Sequence, residues 1–360
     1  MMAAPAPASY EAPPPVVGGR WNHALAQFAR TVAPGQCLEF AAPNLNSYDA
    51  VEGYWFDPTP GVSGAVGPMD SAWASCMDVD PETQQMYFAG GRPENAAAPQ
   101  KMVWFNARTN EWRSKSNWSG IRGGHMYRST CVIPEHRRVV YEPAYLTDGV
   151  LPMWDIDSNT YAGTIPSCPT NIAGGSSGWG VGTALVWHPR MGAQGSIVRA
   201  NNSLDRLTVF DWATQSWIGI GRFDAAPGWT NLHQAGHYNR FTREVIIGSG
   251  TAASPGALTI IAADKSTRLA ALTPCNVAAN SQGQFVPHPT RSASIVICQI
   301  TGRIWSYEWS ADRWIDRAEL PASLISANLH AATQEQLGVV LVAKYGPGGA
   351  SKTYVYRPGF

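Results

Sequence analysis

An aromatic residue, a turn-forming polar residue and a second aromatic six places after the polar one recur along this chain. The stretches are FNARTNEW (105–112), WDIDSNTY (154–161), FDWATQSW (210–217) and YEWSADRW (307–314). Aligned on the polar residue, the copies start at Asn106, Asp155, Asp211, Asp264 and Glu308, 44 to 56 residues apart. Thr109, Ser158, Thr214 and Thr267 repeat a hydroxyl three places on, and Trp112, Tyr161, Trp217 and Trp314 repeat the closing aromatic; the fourth copy has Ala270 there. A fixed period of this size marks an array of equivalent supersecondary units and has to be settled before any local reading.

A second anchor precedes each copy. Two apolar runs flank a polar turn in CMDVDPETQQMYFAGG (76–91), TCVIPEHRRVVYEPAY (130–145), ALVWHPRMGAQGSIVRAN (184–201), AGHYNRFTREVIIGSG (235–250) and QFVPHPTRSASIVICQ (284–299). A sixth stretch, HAATQEQLGVVLVAKYG (330–346), continues the series, and KTYVYRPGF (352–360) follows it. Each stretch reads as a β-hairpin. One unit is therefore strand, turn, strand, variable loop, aromatic third strand, tight polar turn and fourth strand. Asp or Asn at the start of that turn accepts from backbone amides two and three residues on, and the flanking aromatics are expected to pack against the next sheet. A four-stranded sheet of this kind cannot bury both faces alone, so the units must stack in a ring.

The expected fold is all-β: a six-bladed β-propeller of four-stranded antiparallel blades. The sixth unit runs out of chain before its fourth strand, so an N-terminal strand is expected to close the ring and remove its open edge. QCLEFAA (36–42) and AVEGYWFD (50–57) are the candidates. The chain's 35 Gly and 27 Pro fit many short elements, and its 15 Trp fit cores made where short strands meet. Two parts are expected: an N-terminal extension, 1–35, partner-ordered or flexible, and the propeller, 36–360. Residues 2–19 are Ala/Pro-rich and lack the means to form a core. Residues 22–31 are expected to form a short helix with Asn22 as its N-cap.

Charge narrows the function classes. Lys plus Arg and Asp plus Glu number 26 each, and charged residues are only 14 % of the chain. A general nucleic-acid-binding surface would be basic, and a weakly charged surface offers little resistance to association. The N-terminus has neither a positive segment nor an apolar one, so no secretion signal is expected, and no apolar run is long enough to span a membrane. Cys37, Cys76, Cys131, Cys168, Cys275 and Cys298 show no metal-ligand spacing. Cys76, Cys131 and Cys298 read as small core residues, and Cys168 and Cys275 sit at loop-like ends.

The copies resemble kelch-type propellers. The best is 84–112, with an apolar strand, the Gly90-Gly91 pair and an aromatic strand ending in the Thr109…Trp112 turn. The resemblance covers about residues 70–360 and implies the fold; propellers host enzymes, lectins and scaffolds alike, so it implies no activity. Galactose-oxidase-like copper enzymes also use kelch blades, and such a site needs two Tyr, two His and a Cys linked to one Tyr. His237-Tyr238 is the nearest match, and its place in GHYNRF suits a hairpin better than a central site. Sialidase-like propellers need a Gly-Thr-Trp tail after the Asp turn, which FDWATQSW lacks.

Candidate residues for function lie where the copies differ. His125, His233 and His330 each start a first strand, the strand expected to line the central channel, and are candidates for a polar rim at the channel mouth. Trp118, Trp179 and Trp229 lie in loops beside Gly or Ser and could stack on sugars or anchor an interface. His188-Pro189 and His288-Pro289 read as turn pairs, and Asp57, Asp78, Asp80, Asp155 and Asp157 as ordinary turn residues. No phosphate loop, nucleophile elbow or His-Glu-x-x-His pattern occurs, so no cofactor, no metal and no catalytic residue is expected. The composition and the repeat point to a non-enzymatic structural or protein-interaction subunit of a large assembly, whose partners are other subunits or copies of itself in a ring. By fold analogy the assembly is a virion made in a host cytoplasm, since propellers occur as tail-nozzle subunits of short-tailed bacteriophages, where DNA passes through a ring of copies. The alternatives are a propeller that binds a surface glycan or receptor through loop tryptophans, and a kelch-type metal or redox enzyme using the channel histidines.

Overall fold

The computed structural model describes residues 23–40, 77–90, 101–107, 109–116, 128–142, 149–169, 172, 183–201, 206–222, 234–248, 258–271, 273, 283–299, 301–325, 328–345 and 352–359. They form six four-stranded antiparallel sheets in a ring. Blade 1 is β2 (Asp78–Val79), β3 (Met86–Gly90), β4 (Lys101–Asn106) and β5 (Glu111–Ser116). Blade 2 is β6 (Thr130–Ile133), β7 (Arg138–Tyr141), β8 (Val150–Asp155) and β9 (Thr160–Pro166). Blade 3 is β10 (Ala184–His188), β11 (Ser196–Asn201), β12 (Arg206–Asp211) and β13 (Ser216–Arg222). Blade 4 is β14 (Ala235–Asn239), β15 (Glu244–Gly248), β16 (Leu258–Ile261) and β17 (Thr267–Leu269). Blade 5 is β18 (Gly283–Pro287), β19 (Ala293–Cys298), β20 (Arg303–Glu308) and β21 (Arg313–Glu319). Blade 6 is β22 (Asn328–Gln334), β23 (Val339–Tyr345), β24 (Lys352–Tyr356) and the N-terminal strand β1 (Cys37–Phe40).

The recurrent aromatics are partners across one ladder. Phe105 faces Trp112, Trp154 faces Tyr161, Phe210 faces Trp217 and Tyr307 faces Trp314. Three of these pairs hold their rings 5.2–5.3 Å apart in a tilted geometry. The turns between them work as the polar residue requires. Asp211 Oδ1 accepts from the amides of Ala213 and Thr214 at 2.9 and 3.1 Å, and Asp155 Oδ1 accepts from Asp157 and Ser158 at 3.0 and 2.8 Å. Each turn ends on a residue with positive φ: Asn110, Asn159, Gln215 and Asp312. The closing Trp also fastens neighbouring blades. Trp217 donates its indole N–H to Pro166 O of blade 2 at 2.8 Å, and Trp314 donates to Ala271 O, just after β17, at 3.0 Å.

The fourth copy departs from the alignment on Asp264. In blade 4 Ile261 faces Thr267, and Ala262 and Ser266 close a shorter turn with Lys265 at positive φ. Asp264 therefore sits inside the turn, accepting from the amide and hydroxyl of Ser266. A tighter loop slides the register, so Thr267 occupies the aromatic place and Ala270 lies beyond the strand.

Of the two closing candidates, QCLEFAA supplies β1; 50–57 lies outside the described residues. Cys37, Leu38, Glu39 and Phe40 pair antiparallel with Tyr356, Val355, Tyr354 and Thr353. Preceding β1 is α1 (Ala24–Thr31), capped by the Nδ1 of His23 accepting from Ala26 N at 3.1 Å. The cap is thus His23, one residue after the expected Asn22, which lies outside the described residues. Leu25, Ala29 and Val32 pack into the core shared with blades 1, 2 and 6, and Arg357 Nη2 donates to Ala29 O at 2.6 Å.

The apolar core lies between blades, because strand side chains alternate faces. On β22 and β23, Ala332, Leu341 and Ala343 pack toward blade 1, whereas Leu329, Ala331, Val340 and Val342 pack toward blade 5. Similar seams join blades 2 and 3, 3 and 4, and 4 and 5. Cys131 and Cys298 are buried in this core, as their runs predicted, and Cys168 is a free thiol.

Candidate functional site

The innermost strands β2, β6, β10, β14, β18 and β22 surround the ring axis. At the end where these strands terminate they enclose a cavity of about 150 Å³, lined by residues from all six blades. Room of this size holds several waters or one small ligand. Its wall is made largely by the last residues of each strand and the turn that follows, with Met77 and Arg128 entering from ahead of β2 and β6, so repetition of one hairpin six times places six chain segments around one space.

The ionic groups of the wall come from different blades. Asp78, on β2, accepts from Val132 N at 2.8 Å and lies 3.4 Å from Arg128. Arg128 is nearly buried and donates to Gly236 O at 3.0 Å and Thr130 O at 2.9 Å, tying blades 2 and 4. Arg240, after β14, pairs with Glu335 at 3.0 Å and donates to Pro289 O at 2.9 Å. Glu135 accepts from the indole of Trp187 at 2.7 Å. Burial raises the carboxyls of Glu135 and Glu335 above their ordinary values, Arg240 opposing the shift at Glu335.

Trp187 reaches this wall because residue 195 is glycine. A Cβ there would lie 2.1 Å from the indole Cζ2, and φ is +84°. His136 stacks on Trp212 at 4.7 Å and meets Trp187 edge-on at 5.7 Å, which fixes the indole from behind. His237 and Tyr238 lie on β14, in the β14–β15 hairpin that the sequence predicts, and both also line the axial cavity, which corrects the expectation that the pair stands away from a central site. The hairpin turn begins two residues after Tyr238, so the pair falls on the end of the innermost strand. His237 is 2 % exposed, with its ring 4.8 Å from that of Phe285. Burial pulls its pKa down to about 3, so the ring is neutral. Burial and the fields of Glu135 and Glu335 push the Tyr238 phenol up to about 12.

Asp78 is the second group the sequence reading passed over as a turn residue. Its signal was present: it stands in an apolar hairpin two residues before the turn carboxylate Asp80, on the short axial strand β2. Asp80 itself caps its turn through Thr83 and pairs with Arg137 of blade 2 at 2.8 Å.

Among the channel-mouth histidines, His330 is fully buried with its ring 4.6 Å from Phe88. It faces the seam between blades 6 and 1, while Ala332, Thr333 and Glu335 of the same segment border the cavity. His125 and His233 lie outside the described residues, as do Trp118, Trp179 and Trp229. His188 and His288 cap their turns, Nδ1 accepting from Arg190 N at 3.3 Å and from Thr290 N at 3.1 Å. Among the described residues no three His, Cys, Asp or Glu side chains converge as a metal set, and no helix is long and apolar enough to cross a membrane. No family model matches the sequence and no curated protein matches it, so the likeness that stands is architectural: the chain folds as a six-bladed β-propeller.

Proposed function

We propose that this chain is a non-enzymatic structural subunit that joins copies of itself, and other subunits, through the rim of its propeller. The observation that carries the reading is the outer edge of the ring. The fourth strand β9 contains no charged residue and β13 only its terminal Arg222. Exposed edges of this kind are normally protected by charge. Large apolar side chains stand exposed on the outer strands of alternate blades: Tyr161 at 39 %, Leu269 at 47 % and Leu38 at 38 %. A net charge of zero also removes long-range repulsion between identical copies.

The specific assembly in this proposal is a virion, in which kelch-like propellers form a nozzle-like ring at the tail of a short-tailed bacteriophage and DNA passes between them. This part rests on fold analogy. Sedimentation of the purified chain tests the self-association: we expect a concentration-dependent oligomer, and Tyr161→Lys with Leu269→Lys shifts it toward monomer without lowering Tm. A strict monomer that is also absent from purified particles overturns the reading. Binding to a glycan array by that monomer, lost on replacing Trp118, Trp179 or Trp229, would put the receptor-binding alternative in its place.

A further inference from the structure

We propose that the axial cavity binds a small organic cation, an ammonium on a short apolar body. This goes beyond the assembly role and is independent of it.

The charges on the wall are Asp78, Glu135 and Glu335 against Arg128 and Arg240. Both guanidiniums are engaged. Arg128 holds Asp78 and two backbone carbonyls, and Arg240 holds Glu335 and one carbonyl. Glu135 has the Trp187 indole as its donor and, among the described residues, no Lys or Arg within salt-bridge distance. The wall therefore carries one carboxylate more than its cations balance. A half-buried carboxylate in that position is stabilised by a cation from outside.

A second observation is independent of the charges. Neither ring nitrogen of His237 makes a hydrogen bond of normal geometry among the described residues, the Tyr238 backbone being close to the ring but poorly placed, although the side chain is almost wholly buried. Buried polar atoms are nearly always paired. A neutral imidazole bordering the cavity offers an acceptor nitrogen that an ammonium N–H can use. The remaining wall suits the rest of such a ligand: Trp187, Tyr238 and Phe285 present aromatic surface, and Val186 and Val286 add aliphatic surface. Aromatic faces attract an organic cation as well as its alkyl chain. The volume sets the size, since it is below the range that admits drug-sized molecules. An inorganic anion is disfavoured by the excess carboxylate.

The probe is n-butylammonium, with n-butanol and butyrate as matched controls, titrated into the full chain at pH 7.5. Binding is read from the indole N–H resonance of Trp187. The expected result is saturation by butylammonium with Kd on the order of 1 mM, a reasonable strength for so small a ligand. Butanol and butyrate are each expected to bind at least about tenfold more weakly. Glu135→Gln keeps an oxygen for the Trp187 hydrogen bond and is expected to weaken butylammonium about tenfold or more while leaving butanol unchanged. His237→Asn is a second variant with the same expectation. No saturation by butylammonium, equal binding of butanol, or unchanged affinity in both variants at unchanged Tm overturns the proposal.

Discussion

Glu142→Gln is the sharpest test of how the blades are held together. Arg199, on the second strand of blade 3, forks onto Glu142 of blade 2, with Nε to Oε2 at 2.7 Å and Nη2 to Oε1 at 2.6 Å. The side chains are 6 % and 2 % exposed. Burial works against the charged guanidinium, and the Glu142 carboxylate more than offsets it, holding the Arg199 pKa above its ordinary value. Such a pair adds little net stability over apolar residues of the same shape, but breaking it strands one charge at a cost of about 3–5 kcal/mol. Unfolding entropy of roughly 2.1 cal/mol/K per residue gives about 0.76 kcal/mol/K for 360 residues, so Tm should fall by about 4–7 °C. Calorimetry on the wild type, Glu142→Gln and the double variant Glu142→Leu/Arg199→Met measures this. The double variant should recover to within about 1–2 kcal/mol of the wild type or exceed it. A Tm for Glu142→Gln within 1 °C of wild type, on the order of the smallest resolvable shift, would refute the reasoning. So would a double variant no more stable than the single one, because the loss would then lie in packing and not in an unpaired charge.

Trp217→Phe and Trp314→Phe each keep the ring pair across the ladder and remove the N–H that reaches the preceding blade. Each should cost about 1–2 kcal/mol, a hydrogen bond plus a little buried area, and lower Tm by about 1–3 °C; an unchanged Tm in both would count against the staple. His237 and His188 give stability a pH dependence whose sign follows from burial. Their folded pKa values are about 3 and about 4, against an ordinary value of 6.5. The folded state thus prefers the neutral ring, so the contribution is fully present above about pH 6.5 and is lost as pH falls toward the folded values. Urea unfolding from pH 6.5 to 5 should show His237→Gln losing about one proton's worth of slope, roughly 1.4 kcal/mol per pH unit, relative to wild type; parallel curves would show that His237 protonates freely in the folded state.

Much of the architecture was legible because it is written in local chemistry that repeats. The Asp and Asn turns, the cross-strand aromatics and the hairpin anchors each depend on residues close in sequence, and six hairpins imply six blades. The missing fourth strand of the last unit implied a closing strand before the ring, and QCLEFAA was one of two segments able to provide it. The single misalignment, at Asp264, has a local cause too: Ala262 and Ser266 close a tighter turn, so a polar residue and a hydroxyl fell at the right spacing inside the loop. Tyr161 shows the limit of the repeat: it keeps the aromatic place but stands exposed where Trp112 and Trp217 are buried and Trp314 is half-buried.

The sequence by itself determined the blade, the number of blades and the way the ring closes, because those follow from strand periodicity, turn residues and the need to leave no open edge. Only the tertiary structure decided which side chains meet at the axis. Asp78, Arg128, Glu135, His237, Arg240 and Glu335 come from four of the six blades, up to 257 positions apart, and no spacing rule links them. Each looks locally like a turn or strand residue. Closing the ring turns the ends of six innermost strands toward one point, and that convergence makes a wall with one excess carboxylate and an unpaired imidazole from residues that carry no shared motif.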